Sequence, residues 1–388
     1  MKLYTHNGQC TFDPCTDYRM PLLQDNTSKY IYPIEVHMYL TCPPFNDDAR
    51  KEYVSNFSYD ISDDIITDVK NNKCKIVFDF TSESYDTTHK YFGNLDYSHK
   101  IICNTMERYL LEKNDVILVC GNLNPYEPSE YNVVSFAKQL FLPLCQPEKT
   151  LSVQRQLIKN KRIRPKKIVT FMGKPYLHRA RLSYFIFENN LRKDNIVSVH
   201  TPFKDLSMDD HIDKLNLSNE YLESLPWIYD IREYDDSITS LQSSAERQAY
   251  KDTYINFVSE TYFEHTSKEY NDFELDMTDK CTKPIVSMQP FVLHAQVGAL
   301  QYLKDLGFKT FDKWWDEGYD LEKDHSTRYN QLINLYSKFS KASHTELSEM
   351  LYEMYDILEY NKNFYDEYKD SSKQLQDFYE KIKYAFKK

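Results

Sequence analysis

Short apolar runs alternate with longer amphipathic runs along the first part of the chain. The apolar runs have the length and composition of strands, and they lie at 30–40, 75–80 and 115–121. The runs that place apolar residues at helical spacing lie between them, at 62–72 and 98–113. Ser62, followed by two carboxylates, is typical of a helix start. Strands that alternate with helices predict βα units around a parallel sheet.

The same alternation begins again near residue 160. The predicted strands of this half are 167–173, 195–201 and 254–260, and the predicted helices are 175–191, 237–253 and one that opens at Thr278. The chain has 388 residues, which is long enough for two separate cores. We therefore predict an α/β protein with two Rossmann-like domains, residues 1–160 and 161–335, that face a cleft near residue 160.

Residues 336–388 have a wholly helical pattern. One apolar stripe consists of Leu347, Met350, Leu351, Met354, Ile357 and Leu358. The segment 373–386 is a last amphipathic helix, and we expect the tail to pack on a domain or on a second copy of the chain, which would form a homodimer. Phe311, Trp314 and Trp315 are predicted to brace these helices from the preceding segment.

The composition is that of a folded globular protein. Hydrophobic residues make up 41% of the chain and aromatic residues 15%, which excludes a disordered polymer. No apolar run approaches 20 residues, so we expect no membrane span, and the N-terminal segment lacks the apolar core of a secretory signal. The eight cysteines are scattered along the chain, which favours reduced thiols and a cytoplasmic protein.

The net charge of −11 argues against a wide surface that tracks nucleic-acid phosphates. One local exception is "KNKRIRPKK" at 159–167, which carries six cations around Pro165. This segment is interpreted as a solvated connector between the domains, with contact to a polyanion as the alternative.

Several common catalytic motifs are missing from the sequence. The seven glycines form neither G-x-G-x-x-G nor the Walker pattern, so any phosphorylated ligand must be held by side-chain cations and helix N-termini. No Cys and His grouping has zinc spacing, and there is no G-x-S-x-G elbow. We expect no metal and no bound cofactor.

Positively charged side chains stand at the starts of two predicted helices. Arg179 and Arg181 lie in the first turns after the first strand of the second half, and Lys280 and Lys283 lie in the first turns after the third. Cations near a helix N-terminus oppose the helix dipole, which suggests an anion nearby, with an outward-facing arginine as the alternative. The two lysines are three residues apart, which predicts one helical face.

Glu260 ends the strand that precedes these lysines. Its position suits a hydrogen bond to a ribose or sugar hydroxyl. The alternative is a structural carboxylate that caps the next helix or pairs with Lys280 and Lys283.

Five segments together resemble a known enzyme family. They read "NFVSET", "TDKCTKPI", "QPFV", "LGFKTFDKWWDEGYD" and, upstream, "HRARLSYFIFENNLRKDNIVSV". They are similar to the C-terminal half of GT-B glycosyltransferases encoded by phages, large viruses and metagenomes, and distantly similar to the α1,3-fucosyltransferase family. The resemblance covers about 167–335, and the first half resembles the family only through "KIVFDFTSESYD" and "VILVCGNLN".

The resemblance implies a GT-B fold and an inverting, metal-independent transfer of sugar from a nucleotide-sugar donor such as a GDP- or UDP-sugar. Glu260 matches the family's strand-end glutamate, and Asp279 stands where the family has Glu in a T-E-K element. Arg179 or Arg181 would face the diphosphate with Lys280, and Lys283 would lie beside them. Glu260 and Asp279 would hold hydroxyl groups of the ribose or the donor sugar.

The first domain would then supply the acceptor and a general base. A carboxylate at a strand end suits this role, and the candidates are Glu83 and Asp79. The acceptor is a glycan, a protein or, if the enzyme is viral and acts in the host cytoplasm, a hydroxymethylated base in DNA. The alternative from another class is a non-catalytic nucleotide- or glycan-binding module or a virion structural protein on the same fold.

Overall fold

The structure is a computed structural model in which two parallel sheets are flanked by helices. It describes residues 30–35, 57–80, 97–120, 131–135, 146–173, 176–199, 215–229, 244–263, 275, 277–370 and 372–387. Each sheet has four strands, and all the strand pairs in both sheets are parallel. The predicted α/β class is therefore confirmed.

The chain divides into two compact units whose limits differ from the predicted domains. The first unit consists of 1–139, 266–276 and 370–388, and the second consists of 140–265 and 277–369. The division falls about one helix earlier than residue 160, and the predicted tail is split between the two units. The tail is divided because its last helix packs on the sheet of the first unit.

The first unit contains a sheet with the strand order β1-β2-β3-β4. Its strands are β1 (Tyr30–Glu35), β2 (Cys74–Phe80), β3 (Val116–Cys120) and β4 (Asn132–Ser135), and its connecting helices include α1 (Asp63–Lys70) and α2 (Tyr97–Tyr109). The central strands are near-continuous apolar runs, as buried parallel strands are. The short β4 was missing from the sequence prediction, because only Val134 of its four residues is buried.

The last helix of the chain packs against this first sheet, on β3 and β4. Its buried residues Phe378, Ile382 and Phe386 join the core formed by the strands. The apolar face predicted for 373–386 is therefore covered within the chain, and the helix belongs to the first unit rather than to a separate tail.

The second unit contains a sheet with the order β6-β5-β7-β8. Its strands are β5 (Ile168–Met172), β6 (Ile196–Val199), β7 (Ile255–Ser259) and β8 (Phe291–His294). The chain starts in the middle of this sheet, adds β6 on one side, and then returns to add β7 and β8 on the other. The order therefore reverses between β5 and β7.

Nine helices, counted in the described residues, belong to the second unit. They are α3 (Glu148–Lys159), α4 (Leu177–Glu188), α5 (Asn219–Ser224), α6 (Ser244–Asp252), α7 (Asp279–Val286), α8 (Ala299–Leu306), α9 (His325–Lys341), α10 (His344–Glu353) and α11 (Tyr355–Asp370), and the last helix of the first unit is α12 (Ser372–Lys387). No helix was predicted at α3, α5 or α8. In α3 the buried residues Leu151, Gln154 and Ile158 have helical spacing, so the signal was present in the sequence.

The basic segment 159–167 is not a solvated connector throughout, which corrects the prediction. Arg164 is buried, and its Nη1 donates to the backbone oxygen of Tyr250 at 2.8 Å. Lys167 is also buried and donates to the backbone oxygen of Ser340 at 2.8 Å. Two of the six cations are thus buried and hold backbone carbonyls of the second unit.

The aromatic brace predicted before the C-terminal helices is confirmed for two of its three members. Phe311 and Trp315 are buried, and Trp315 contacts Phe339 of α9 with ring centroids 5.3 Å apart. Trp314 is half-buried and donates its indole N–H to Glu353. The predicted apolar stripe is divided at Met354, where α10 ends and α11 begins.

Cysteine and membrane predictions are tested only in the part of the chain that the structure describes. The side chains of Cys74 and Cys281 are free thiols. None of the described helices combines the length and the apolar character that crossing a membrane requires.

The contribution of α12 to the first unit can be tested by truncating one of its buried side chains. Ile382 has no exposed surface, so Ile382→Ala is expected to lower the free energy of unfolding by about 2–5 kcal/mol in urea denaturation. Leu110, which is 79% exposed, provides the control, and Leu110→Ala should change that free energy by less than about 0.5 kcal/mol. Equal effects of the two changes would contradict the packing of α12 on this sheet.

Candidate functional site

The carboxyl ends of β5, β7 and β8 meet at one edge of the second sheet. The ladder between β5 and β7 consists of two pairs at their amino ends, Ile168 with Ile255 and Val169 with Asn256. Open parallel sheets bind ligands outside the carboxyl ends of the strands, at the point where the strand order reverses. That point lies between β5 and β7, so the residues that follow these two strands are the candidates for a site.

Arg179, in the first turn of α4, is buried behind this edge. Its Nη2 donates to the backbone oxygens of Ser259 and Glu260, each at 2.8 Å. Burial lowers the pKa of Arg179 to about 10, although the charge of Glu260 opposes this effect. The predicted role of Arg179 was to face a diphosphate, whereas this end of its guanidinium holds the backbone at the end of β7.

Arg328 of α9 holds the same stretch of chain from the other end. Its Nη2 donates to the backbone oxygen of Phe263 at 2.5 Å, and its Nη1 donates to that of Glu322 at 2.8 Å. The guanidinium also lies 4.4 Å from the centroid of the Phe263 ring. We call residues 259–263 the β7 exit segment, and Arg179 and Arg328 the arginine clamp. Sequence reasoning missed Arg328, because one arginine in an amphipathic helix carries no local signal.

Two buried histidines line the inner side of the β7 exit segment. His178 Nε2 lies 3.0 Å from the backbone oxygen of Glu260, and His294 Nδ1 lies 3.2 Å from Ser259 Oγ. Burial, followed by the charge of Arg179, lowers the pKa of His294 to about 3. Burial, followed by His294 and Arg179, lowers the pKa of His178 well below its usual value. Both rings are therefore neutral at pH 7 and add no charge to the two arginines.

Glu260 has no exposed surface and connects the end of β7 to the start of α7. Its Oε2 accepts from Thr278 Oγ1 at 2.7 Å, and its Oε1 accepts from the Thr278 backbone N–H at 3.3 Å. Oε2 also accepts from the backbone N–H of Thr261 at 3.3 Å. Thr278 is in turn the N-cap of α7. Of the two interpretations given for Glu260, the structure supports the structural carboxylate that fixes the next helix.

Lys280 is the cation that these contacts place at the sheet edge. Its Nζ lies 2.8 Å from Thr278 Oγ1, 3.0 Å from Thr261 Oγ1 and 3.7 Å from Glu260 Oε2. The side chain is 33% exposed. The Lys280 ammonium is thus held by three neighbours, and its side chain keeps about a third of its surface exposed.

Lys283 does not extend this cationic face, contrary to the prediction from its spacing. Its Nζ lies 3.2 Å from Asp279 and 3.3 Å from Glu246. Burial alone would lower the pKa of Lys283, but the two carboxylates outweigh that effect and raise it. Lys283 and Asp279 therefore form an internal ion pair on α7, apart from the contacts of Lys280.

A carboxylate from elsewhere in the same unit binds the N-terminus of α8, the helix after β8. Asp320 accepts from the backbone N–H groups of Leu300 and Gln301, each at 2.8 Å. Burial raises the pKa of Asp320, and these two hydrogen bonds act against the rise. The N-terminus of α8 is thus occupied by Asp320, which sequence reasoning did not identify, and the ends of β5 and β7 remain the candidate positions.

The other predicted site residues are distributed as follows. Arg181 is half-buried on α4, close enough to His178 for its charge to lower the pKa of that ring. Asp79 is buried in β2 of the first unit, next to the last residue of the strand. Glu83 lies outside the described residues. The structure thus brings together Arg179, Glu260 and Lys280.

The fold and the site define an α/β protein with a positively charged edge on its second parallel sheet. No protein-family model, curated protein or solved structure matches the chain. Within the residues that can be described, no three or more His, Cys, Asp or Glu side chains form a group that could hold a metal ion.

The structural role of Arg179 can be tested against a neighbour on the same helix. Arg179→Ala leaves two buried carbonyls without their charged donor, and we expect a loss of about 2–3 kcal/mol in the free energy of unfolding. Arg181→Ala, at a half-buried position, should cost less than about 1 kcal/mol. Urea denaturation measures both values, and a loss for Arg181→Ala as large as that for Arg179→Ala would refute this role.

Proposed function

We propose that the chain transfers a sugar from a nucleotide-sugar donor to a hydroxyl acceptor, and that the donor binds at the carboxyl edge of the second sheet. The observation that carries this proposal is Lys280, a partly exposed side chain whose ammonium is held by Thr261, Thr278 and Glu260 beside the reversal in strand order. A GDP- or UDP-sugar presents its diphosphate to such a cation. The two separate α/β units are compatible with the GT-B architecture that the sequence resembles.

Charge at this edge supports an anionic ligand. The arginine clamp places two buried guanidinium groups behind the β7 exit segment, where they donate to backbone carbonyl oxygens. The positive charge of both arginines acts on the neighbouring His294 ring, where it adds to the effect of burial in lowering the pKa. Fixed charges in a site of low dielectric stabilise an anion more strongly than the same charges in water.

Transfer needs the departing diphosphate to be stabilised. The acceptor oxygen forms a bond to the anomeric carbon while the bond from that carbon to the β-phosphate oxygen breaks, and its electron pair leaves with the nucleoside diphosphate. Lys280 is the side chain of this site that would meet the charge developing on that oxygen, with Arg181 as a further candidate. Because Thr261, Thr278 and Glu260 already hold the Lys280 ammonium, it need not change position when the sugar–phosphate bond breaks.

The acceptor loses a proton in the same step, and a carboxylate of the first unit would take it. Asp79 at the end of β2 and Glu83 beyond it stay the candidates for this base. The acceptor is a glycan, a protein or a hydroxymethylated base in DNA, and the reaction would take place in the cytoplasm.

One observation favours the second candidate, a nucleotide- or glycan-binding protein without turnover. Asp79 is buried in the core of its sheet, whereas a general base must reach the acceptor hydroxyl. Release of nucleoside diphosphate from GDP- and UDP-sugars separates the two functions. An enzyme releases it, more rapidly with the acceptor present, whereas a binding protein is stabilised by the same sugar nucleotides without cleaving them.

The donor site is tested by thermal unfolding with guanosine diphosphate and uridine diphosphate. At about one hundred times Kd, a ligand that binds only the folded protein should raise Tm by about 3 °C or more. Lys280→Met keeps most of the side-chain volume but removes the charge, and it should weaken binding at least about tenfold, so the Tm shift falls.

Lys341→Met is the matched control, because Lys341 is exposed at the end of α9, away from the β7 exit segment. It should keep the full shift with either diphosphate. An unchanged shift in Lys280→Met, or no shift in the wild-type protein with any nucleoside diphosphate, would overturn the proposed donor site.

A further inference from the structure

Two tyrosines flank the point where the strand order reverses in the second sheet. Tyr176 is the N-cap of α4, which follows β5, and Tyr262 lies in the β7 exit segment. Their ring centroids are 6.5 Å apart, with an angle of 35° between the rings. Tyr262 is 37% exposed and Tyr176 is half-buried. The edge thus presents an aromatic pair to solvent at the position where open sheets bind ligands.

Buried groups support these rings from the protein side. The guanidinium of Arg179 lies 5.0 Å from the centroid of the Tyr176 ring, and the His178 ring stacks on Tyr176 at 6.0 Å with an angle of 7°. Tyr262 is followed directly by Phe263, whose ring and carbonyl both contact Arg328. The arginine clamp therefore contacts Tyr176 directly and holds the residue that follows Tyr262.

The tyrosine pair lies next to the cation of the proposed donor site. Thr261 Oγ1 contacts Lys280 Nζ at 3.0 Å, and Tyr262 is the next residue along the chain. A ligand with a diphosphate at Lys280 therefore has its nucleoside close to an exposed aromatic surface. Every nucleobase has a flat π-face, and stacking on an aromatic side chain needs no particular hydrogen-bond pattern.

We propose that Tyr176 and Tyr262 form the surface on which the base of the nucleotide stacks. This proposal rests on the proposed function, because it takes Lys280 as the group that meets the diphosphate. It adds two residues that recognise the nucleoside, which the charged residues alone do not explain. The substrate class is then a nucleoside diphosphate or its sugar ester, rather than any pyrophosphate.

Calorimetry with guanosine diphosphate, guanosine and inorganic pyrophosphate separates the base from the phosphates. Tyr262→Ala is expected to weaken guanosine diphosphate by about 5- to 150-fold, the range found for the loss of one base–aromatic stack, and to leave pyrophosphate within about twofold. Tyr262→Phe keeps the ring and should bind like the wild-type protein. Tyr262 is partly exposed, so its variants should keep the wild-type Tm. Tyr176→Ala is a second variant, which should weaken guanosine diphosphate over the same range.

The outcomes distinguish the two proposals. If pyrophosphate binds and Tyr262→Ala leaves the affinity ratio of guanosine diphosphate to pyrophosphate unchanged, the stacking surface is overturned while the donor site survives. If pyrophosphate does not bind but guanosine binds through Tyr262, the diphosphate role of Lys280 is overturned and the stacking surface is supported. Binding of neither pyrophosphate nor guanosine nor guanosine diphosphate would overturn both.

Discussion

The candidate site depends on two buried arginines that bind backbone carbonyls of the β7 exit segment. Arg179 holds the oxygens of Ser259 and Glu260, and Arg328 holds that of Phe263, so the β7 exit segment is fixed at both ends. Carbonyls at the end of a buried strand need hydrogen-bond donors, and a guanidinium supplies several from one side chain. Burying the two guanidinium groups removes two positive charges from water, and this costs a large free energy unless hydrogen bonds and nearby charges compensate.

That cost has a consequence for the chemistry of the edge. The charge of the clamp arginines acts on the neighbouring rings, because Arg179 lowers the pKa of His178 and both arginines lower the pKa of His294. Glu260 is a carboxylate whose charge acts on Arg179. Its oxygens accept hydrogen bonds from Thr278 and Thr261. Lys280 adds a third cation, whose side chain is partly exposed. The arrangement gives a fixed positive edge next to exposed aromatic rings, which suits a ligand that is anionic at one end and aromatic at the other.

Local features of this unit were predictable from the sequence, and distant contacts were not. The apolar run of β7 and the threonine cap of α7 depend on neighbouring residues, so both were predicted, as was a cation at Lys280. The direction of Arg179 depends on a strand 80 residues away, and Arg328 reaches a residue 65 positions earlier. The same limit explains why α12 was assigned to a tail: its apolar face was visible, but the sheet that covers it was not. Lys283 was placed beside Lys280 by spacing alone, whereas Glu246 of another helix draws it into an internal ion pair.

Hydrogen exchange of the β7 exit segment tests the central claim most directly. The backbone N–H groups of Glu260 and Thr261 donate to His294 and to the Glu260 carboxylate. If the arginine clamp fixes this segment in advance, these two amides should exchange slowly in the free wild-type protein, and saturating pyrophosphate should change their rates little. Rapid exchange of these amides in the free protein, with protection only after pyrophosphate is added, would contradict the account. The ligand rather than the clamp would then be what orders the site.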